Sequence, residues 1–402
     1  MSFWTPVMHF LRQTRILSRI NAFIERYNIP NITFLFLVSA FPLFQLLKHS
    51  TLWLLPMCLF LLLWSLKSFF LEPRLDFADF LVLLILLLQV ASALVGYGRA
   101  VDALAAALLT SIWFFARRFW SETNEKIFVF FSSLPLLIVS AIGVGQYLFG
   151  MAEVRWVDAS RFGDIGGRVT SIFSNPNILA VYLVLYFPFL LWATFLPENK
   201  GRMRVFYAIT TVFCSICILL TWSRGAWLGL LLEVFLFLLF HSQKTRFALR
   251  FTPLLIILVP LLPNNFKSRL LSIGDLADSS TYYRVLTWRG SLRAIADNVL
   301  GGYGYGMSSF EAVYPAYAIA GIEAAEHTHS LYLQLLFGTG LVGLILFLVV
   351  ILLFAQKNFE FFVREDDKRG VGTAAAAFSA VIAALVMGLF DNIWYNSRVM
   401  LL

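Results

Sequence analysis

The sequence predicts an all-α polytopic membrane protein, and three observations carry that prediction. Apolar residues fill 60% of the 402 positions and charged residues only 13%, more apolar surface than one soluble core of this length can hide. The apolar residues come in unbroken runs of the roughly 17–25 residues that cross a hydrocarbon layer about 30 Å thick. Lysine and arginine alternate between the ends of those runs, as they do where cytoplasmic loops are basic.

Eleven spans are expected, at 32–48, 50–70, 77–96, 101–116, 127–150, 177–196, 205–222, 226–241, 251–263, 330–355 and 371–390, within a single membrane domain over 1–402. No internal repeat interrupts them. The N-terminal stretch, with Arg12, Arg15, Arg19 and Arg26 among apolar residues, reads as a basic amphipathic segment on the inner surface. It lacks a signal peptide's apolar stretch and cleavage site.

Placing the N-terminus in the cytoplasm puts nineteen of the 31 basic residues inside. The inner loops hold Lys67 and Arg74; Arg117, Arg118 and Lys126; Lys200, Arg202 and Arg204; Lys244, Arg246 and Arg250; and Lys357, Arg364, Lys368 and Arg369. Each short outer loop holds one basic residue: Lys48, Arg99 or Arg224. The net charge of +8 is therefore topological, with some attraction to the anionic inner leaflet, and it does not point to nucleic acid. Cys58, Cys214 and Cys217 fall inside spans and read as small core residues.

Two outer loops are long enough to carry chemistry, 151–176 and a mostly helical one at 264–328. In the first, Asn175-Pro176 is a helix start, a capping side chain followed by proline at the first helical position. Arg161 and Arg168 are basic residues on the side where few are expected. Arg224 lies in a tight hairpin, Thr-Trp-Ser-Arg-Gly-Ala-Trp. It reads either as an interfacial anchor beside Trp222 and Trp227 or as a functional cation that Gly225 leaves uncrowded.

In the second loop, Val285, Trp288, Leu292, Ile295 and Val299 make one apolar stripe of a helix over 281–299. Such a helix is expected to lie flat at the membrane surface, with Arg284 and Arg289 flanking the stripe at headgroup depth. Gly301 to Gly306 reads as a compact turn, since no strand precedes it and no lysine follows. The loop ends Glu323-Ala-Ala-Glu326-His327-Thr328-His329-Ser330 and enters a span. Gly340 and Gly343 lie about three and four turns below His329 on nearly the same face, where small residues admit another helix. Two histidines and two glutamates raise metal binding as an alternative, but their spacing matches no known ligand set. Glu233, alone in an apolar span, is either functional or a buried structural acid.

These residues resemble the O-antigen ligase and polymerase superfamily of bacterial membrane glycosyltransferases. His329-Ser330, then nine residues, Gly340, two residues and Gly343 fit that family's His-[Asn/Ser/Gln]-x9-Gly-x2-[Gly/Thr/Tyr] pattern. Arg168 before Asn175-Pro176-Asn177, Ser223-Arg224-Gly225, and Arg284 with Trp288 match in order. The likeness is strongest over 168–345. Asn-Val-Leu-Gly-Gly-Tyr-Gly-Tyr-Gly also matches, without the usual proline, and relatives run into a further span where this chain stops at Leu402, so the expectation is either a truncated twelfth span or a tail that ends outside.

The resemblance implies a metal-independent enzyme of the bacterial inner membrane, facing outward and using no cofactor. It transfers a glycan from undecaprenyl diphosphate to an acceptor hydroxyl on lipid A-core, another glycan or another molecule. Arg224 and Arg284 are the expected diphosphate ligands, with Arg168 and Arg289 as helpers. Arginine's planar fork suits that role. His329 is the expected base, an imidazole being matched to a weak hydroxyl nucleophile. Asn175, Pro176, Gly225, Gly340 and Gly343 give structural support. The same motifs serve a polymerase of lipid-linked repeats. A transporter or flippase would instead show internal repeats and broken helices at the midplane.

Overall fold

The computed structural model describes residues 22–26, 28–40, 51–71, 76–119, 122–154, 167–251, 263–272, 274–276, 278–364 and 369–393. The elements are helical: α1 Ile29–Leu35, α2 Thr51–Leu71, α3 Phe77–Val95, α4 Ala100–Phe119, α5 Glu122–Leu148, α6 Pro176–Phe195, α7 Gly201–Leu220 and α8 Arg224–His241. They continue as α9 Gln243–Ala248, α10 Asn264–Leu271, α11 Ser279–Asp297, α12 Met307–Val313, α13 Leu331–Arg364 and α14 Arg369–Met387. Among the described residues the sole β pairing is an isolated bridge between Glu153 and Arg168.

Six of these helices, α3, α5, α6, α7, α8 and α13, are long and apolar enough to cross a membrane, and apolar stretches of α2 and α14 are shorter. All-α membrane architecture is therefore borne out, while a count of eleven spans is not. The expected span at 251–263 falls almost wholly outside the described residues, as do the second part of 32–48, Arg161, the N-terminal segment to residue 21 and the tail from Trp394.

Helix α6 is the hub. Asn175 caps it, its Oδ1 accepting from the Asn177 amide at 2.8 Å, and Pro176 takes the first turn, as the sequence predicts. Apolar residues all round it make it a buried helix, and Leu179, Leu183, Tyr182 and Val184 are essentially inaccessible. Helices α5, α7, α8 and α14 pack around it. At the opposite end from the site, Arg117 of α4 pairs with Asp76 and Asp79, and Lys357 of α13 reaches Asp76 at 3.6 Å, tying three helices together.

Two expectations about the glycines need correction. Residues 298–301 do turn, with Gly302 N donating to Asn298 O at 3.0 Å, but 302–305 are not part of a compact turn. They run as an extended strap between the corner after α3 and α13, with Tyr303 N donating to Phe337 O (2.8 Å), Gly304 N to Gly338 O (2.9 Å) and Tyr97 N to Tyr303 O (2.7 Å). Helix α13 breaks where the strap crosses, at Gly340 (φ 67°, ψ −172°), and Leu341 N beyond the break donates to Val299 O at 2.8 Å. A Cβ at Gly340 would lie 2.1 Å from Leu300 O, so backbone rather than a helix makes the close approach there. At Gly343 a neighbouring helix does approach, through Leu88 of α3.

Helix α11 also differs from its expected pose. Its buried residues are Thr287, Gly290, Ser291, Ala294 and Ile295, and a Cβ at Gly290 would meet the Tyr314 ring at 2.9 Å. Leu292 of the expected stripe is half exposed. Small residues win the buried face because the helix packs on protein, and close approach there needs small side chains.

Candidate functional site

The loop before α6, the start of α8, helices α10 and α11 and the end of α14 enclose a cavity of about 240 Å³. Arg168, Arg224, Arg269 and Arg284 line it beside Asp391, with Leu228, Leu276, Val285, Met387 and Phe390 as the apolar share. Each arginine is held by protein.

Arg168 is buried, its backbone fixed by the bridge to Glu153. Its Nε donates to Thr221 O at 2.7 Å and its Nη2 to Asn177 Oδ1 at 2.8 Å. Arg224 opens α8. Its Nη1 donates to Ser272 O (2.7 Å) and Oγ (2.8 Å), and its Nη2 to Asp278 Oδ1 (3.0 Å) and Thr281 Oγ1 (3.1 Å). Four bonds into the protein replace the interfacial-anchor reading. Gly225 beside it has open space where a Cβ would stand.

Arg284 of α11 donates from Nη1 to Ser280 Oγ at 2.5 Å. Its Nε is buried with no hydrogen-bond partner among the described residues, as is Nε1 of Trp222 in the same wall. Arg269 was not anticipated: it donates to Trp222 O (3.4 Å) and Asp278 Oδ2 (3.1 Å). Arg289 is exposed and lies off the cavity wall, so the expected helper is not brought together with the other three.

His329 stands beside the cavity rather than on its wall. Its Nδ1 lies 3.2 Å from Asp391 Oδ1, and its carbonyl accepts from Trp288 Nε1 at 3.4 Å. Asp391 and Trp288 do line the cavity. The His329 backbone is left-handed (φ 51°), and its amide donates to His327 Nδ1 at 3.1 Å. The Tyr283 ring stands edge-on to it at 5.6 Å. Asp391 Oδ2 accepts from Asn177 Nδ2 at 3.0 Å, so Asn177 links Arg168 to the histidine's partner as well as opening a helix. The available signal for Asp391 was a carboxylate directly after an apolar span.

The electrostatics follow from crowding. Burial, and then the charges of Arg269, Arg284 and Arg224, push the Arg168 pKa well down. Burial and Arg224 bring Arg269 to about 10, and burial lowers Arg284, with Asp391 opposing. A guanidinium keeps its proton in a protein, so these directions describe a cluster short of negative charge. Burial alone would raise the Asp391 carboxyl, but the bond from His329 and the charge of Arg284 hold it below the ordinary range. For Asp278, burial is likewise outweighed, first by Arg224. Burial, then His329, takes His327 down to about 3, which leaves it neutral.

His327, His329 and Asp391 have ligand atoms within 4.8 Å of one another and are the described residues that could hold a metal ion. The adjacent guanidiniums oppose a further cation, and hydrogen bonds already engage all three residues, at His327 Nδ1, His329 Nδ1 and both Asp391 oxygens. The arrangement instead fits a multiply charged anion with an apolar attachment, next to an imidazole oriented by a carboxylate. Glu233 is fully buried in α8, with no hydrogen-bond partner for either oxygen among the described residues, and it does not line the cavity. The three cysteines are free and buried.

Residues 209–348 match the model of a family described as O-antigen ligase. That segment contains Arg224, Arg269, Arg284 and His329, and it bears out the resemblance read from the motifs. A search of curated proteins finds no match.

Proposed function

We propose that this protein, which carries an O-antigen ligase segment over residues 209–348, transfers a glycan from undecaprenyl diphosphate to an acceptor hydroxyl at the outer face of the bacterial inner membrane. The observation that supports this most is the cavity lined by four arginines, in which Arg284 Nε and Trp222 Nε1 have no hydrogen-bond partner among the described residues. A departing diphosphate supplies the missing charge and acceptors. Preorganised donors aimed at developing charge are the largest single source of rate enhancement in many enzymes.

The reaction is a direct displacement without a metal. The acceptor oxygen attacks the anomeric carbon. The bond from that carbon to the phosphate oxygen breaks, and its electron pair stays on undecaprenyl diphosphate. The hydroxyl proton passes to His329. In the tautomer that donates from Nδ1 to Asp391, Nε2 of His329 carries the lone pair that takes it. Attack opposite the leaving group inverts the anomeric centre.

The test is a mass profile of undecaprenyl-diphosphate glycans in cells carrying wild type or His329→Ala. Accumulated donor with loss of surface glycan is expected. Single repeats would mark a polymerase and long chains a ligase. Identical profiles and unchanged surface glycan would remove His329 from the chemistry.

A further inference from the structure

Asp278 is fully buried and occupies a singular position. One carboxylate oxygen accepts from Arg224 at 3.0 Å and the other from Arg269 at 3.1 Å. The same side chain caps α11, Oδ1 accepting from the Thr281 amide at 2.9 Å. Three elements, the start of α8, the end of α10 and the start of α11, therefore meet on one carboxylate. Neither Arg269 nor Asp278 belongs to the motifs that pointed to the site.

We propose that Asp278 is a positioning residue that spaces Arg224 and Arg269 as a rigid pair, and that Arg269 is a fourth anion-binding residue, so that the cavity selects two linked phosphoryl groups over one. The inference rests on the transfer reading above. Ser272 Oγ also ties the two residues, accepting from Arg224 and donating to the Arg269 carbonyl, but it reaches Arg269 only through its backbone. Without the Asp278 carboxylate the two like-charged guanidiniums lose their shared counter-charge and spread. With it, they are fixed on one side of a cavity whose other arginines, Arg168 and Arg284, are anchored independently to Asn177 and Ser280. Four guanidiniums line the one cavity, and two linked phosphoryl groups offer charge and acceptors to more of them than a single phosphate does.

The experiment measures protection of the detergent-solubilised protein against thermal unfolding by inorganic pyrophosphate and by inorganic phosphate. The proteins are wild type, Asp278→Asn and Arg269→Lys. Asparagine keeps the cap acceptor for Thr281, and lysine keeps the charge while losing the two-point fork. Wild type is expected to bind pyrophosphate more tightly than phosphate. Both variants are expected to lose about tenfold in pyrophosphate affinity, the worth of a charge-assisted hydrogen bond, with phosphate affinity kept or raised. A role confined to charge balance predicts the opposite for Asp278→Asn: one more net positive charge tightens both anions equally. Variants that retain the wild-type preference overturn the inference alone. A wild type that binds neither anion overturns the transfer reading beneath it.

Discussion

At the scale of single residues, the site divides by how its chemistry can be recognised. Arg168, Arg224, Arg284 and His329 were legible because they fall in an ordered set of motifs. Asp391, Asp278 and Arg269 were not. Their meaning lies in long-range partners, such as the 62-residue separation between His329 and Asp391. Arg289 shows the reverse error: five residues on from Arg284 is about 140° round the helix, so the two do not share a face of α11, and Arg289 is exposed. For the proposed transferase, Asp391→Asn should lower turnover about a hundredfold, the lower end of general acid–base contributions. It would remove the charge that favours an Nδ1–H tautomer and an imidazolium. Steady-state transfer with purified donor checks this, and turnover within twofold of wild type would leave Asp391 with a structural role only.

At the scale of elements, the helices were predictable from apolar runs and caps, while their interruptions were not. Gly340 looked like a smooth helical face because spacing alone cannot reveal a backbone break. Its positive φ alone makes alanine cost about 1–3 kcal/mol, before the collision with Leu300 O is counted. Gly340→Ala should therefore lower the thermal midpoint in detergent by several degrees. Gly225→Ala, which meets open space, should stay within about 0.5 kcal/mol of wild type. Equal midpoints for the two variants would mean the strap does not constrain α13.

For the whole molecule, the pH dependence of stability follows from three buried groups. Asp278 and Asp391 have folded pKa values below 3.8, so their contribution is complete above that value and is lost as pH falls through the folded values. His327 is neutral when folded, with its pKa moved from 6.5 to about 3. The unfolded chain then binds more protons between those limits, so stability declines as pH falls from 6.5 towards 3. Thermal midpoints should be level above pH 7, decline gently below 6.5 and steeply below 4. His327→Gln should abolish the gentle limb and leave the steep one; persistence of the gentle limb would assign it to another group. The same level of organisation constrains protein engineering. The segment 299–305 is stitched by main-chain bonds to the corner after α3 and to α13, so the loop 264–328 is not a detachable lid. A chimera that exchanges only residues 264–328 with a relative would place a foreign strap against a break shaped for this one. For the proposed transferase, exchanging this region intact would require moving the loop together with the first half of α13 and the Gly96–Gly98 corner, as one cassette.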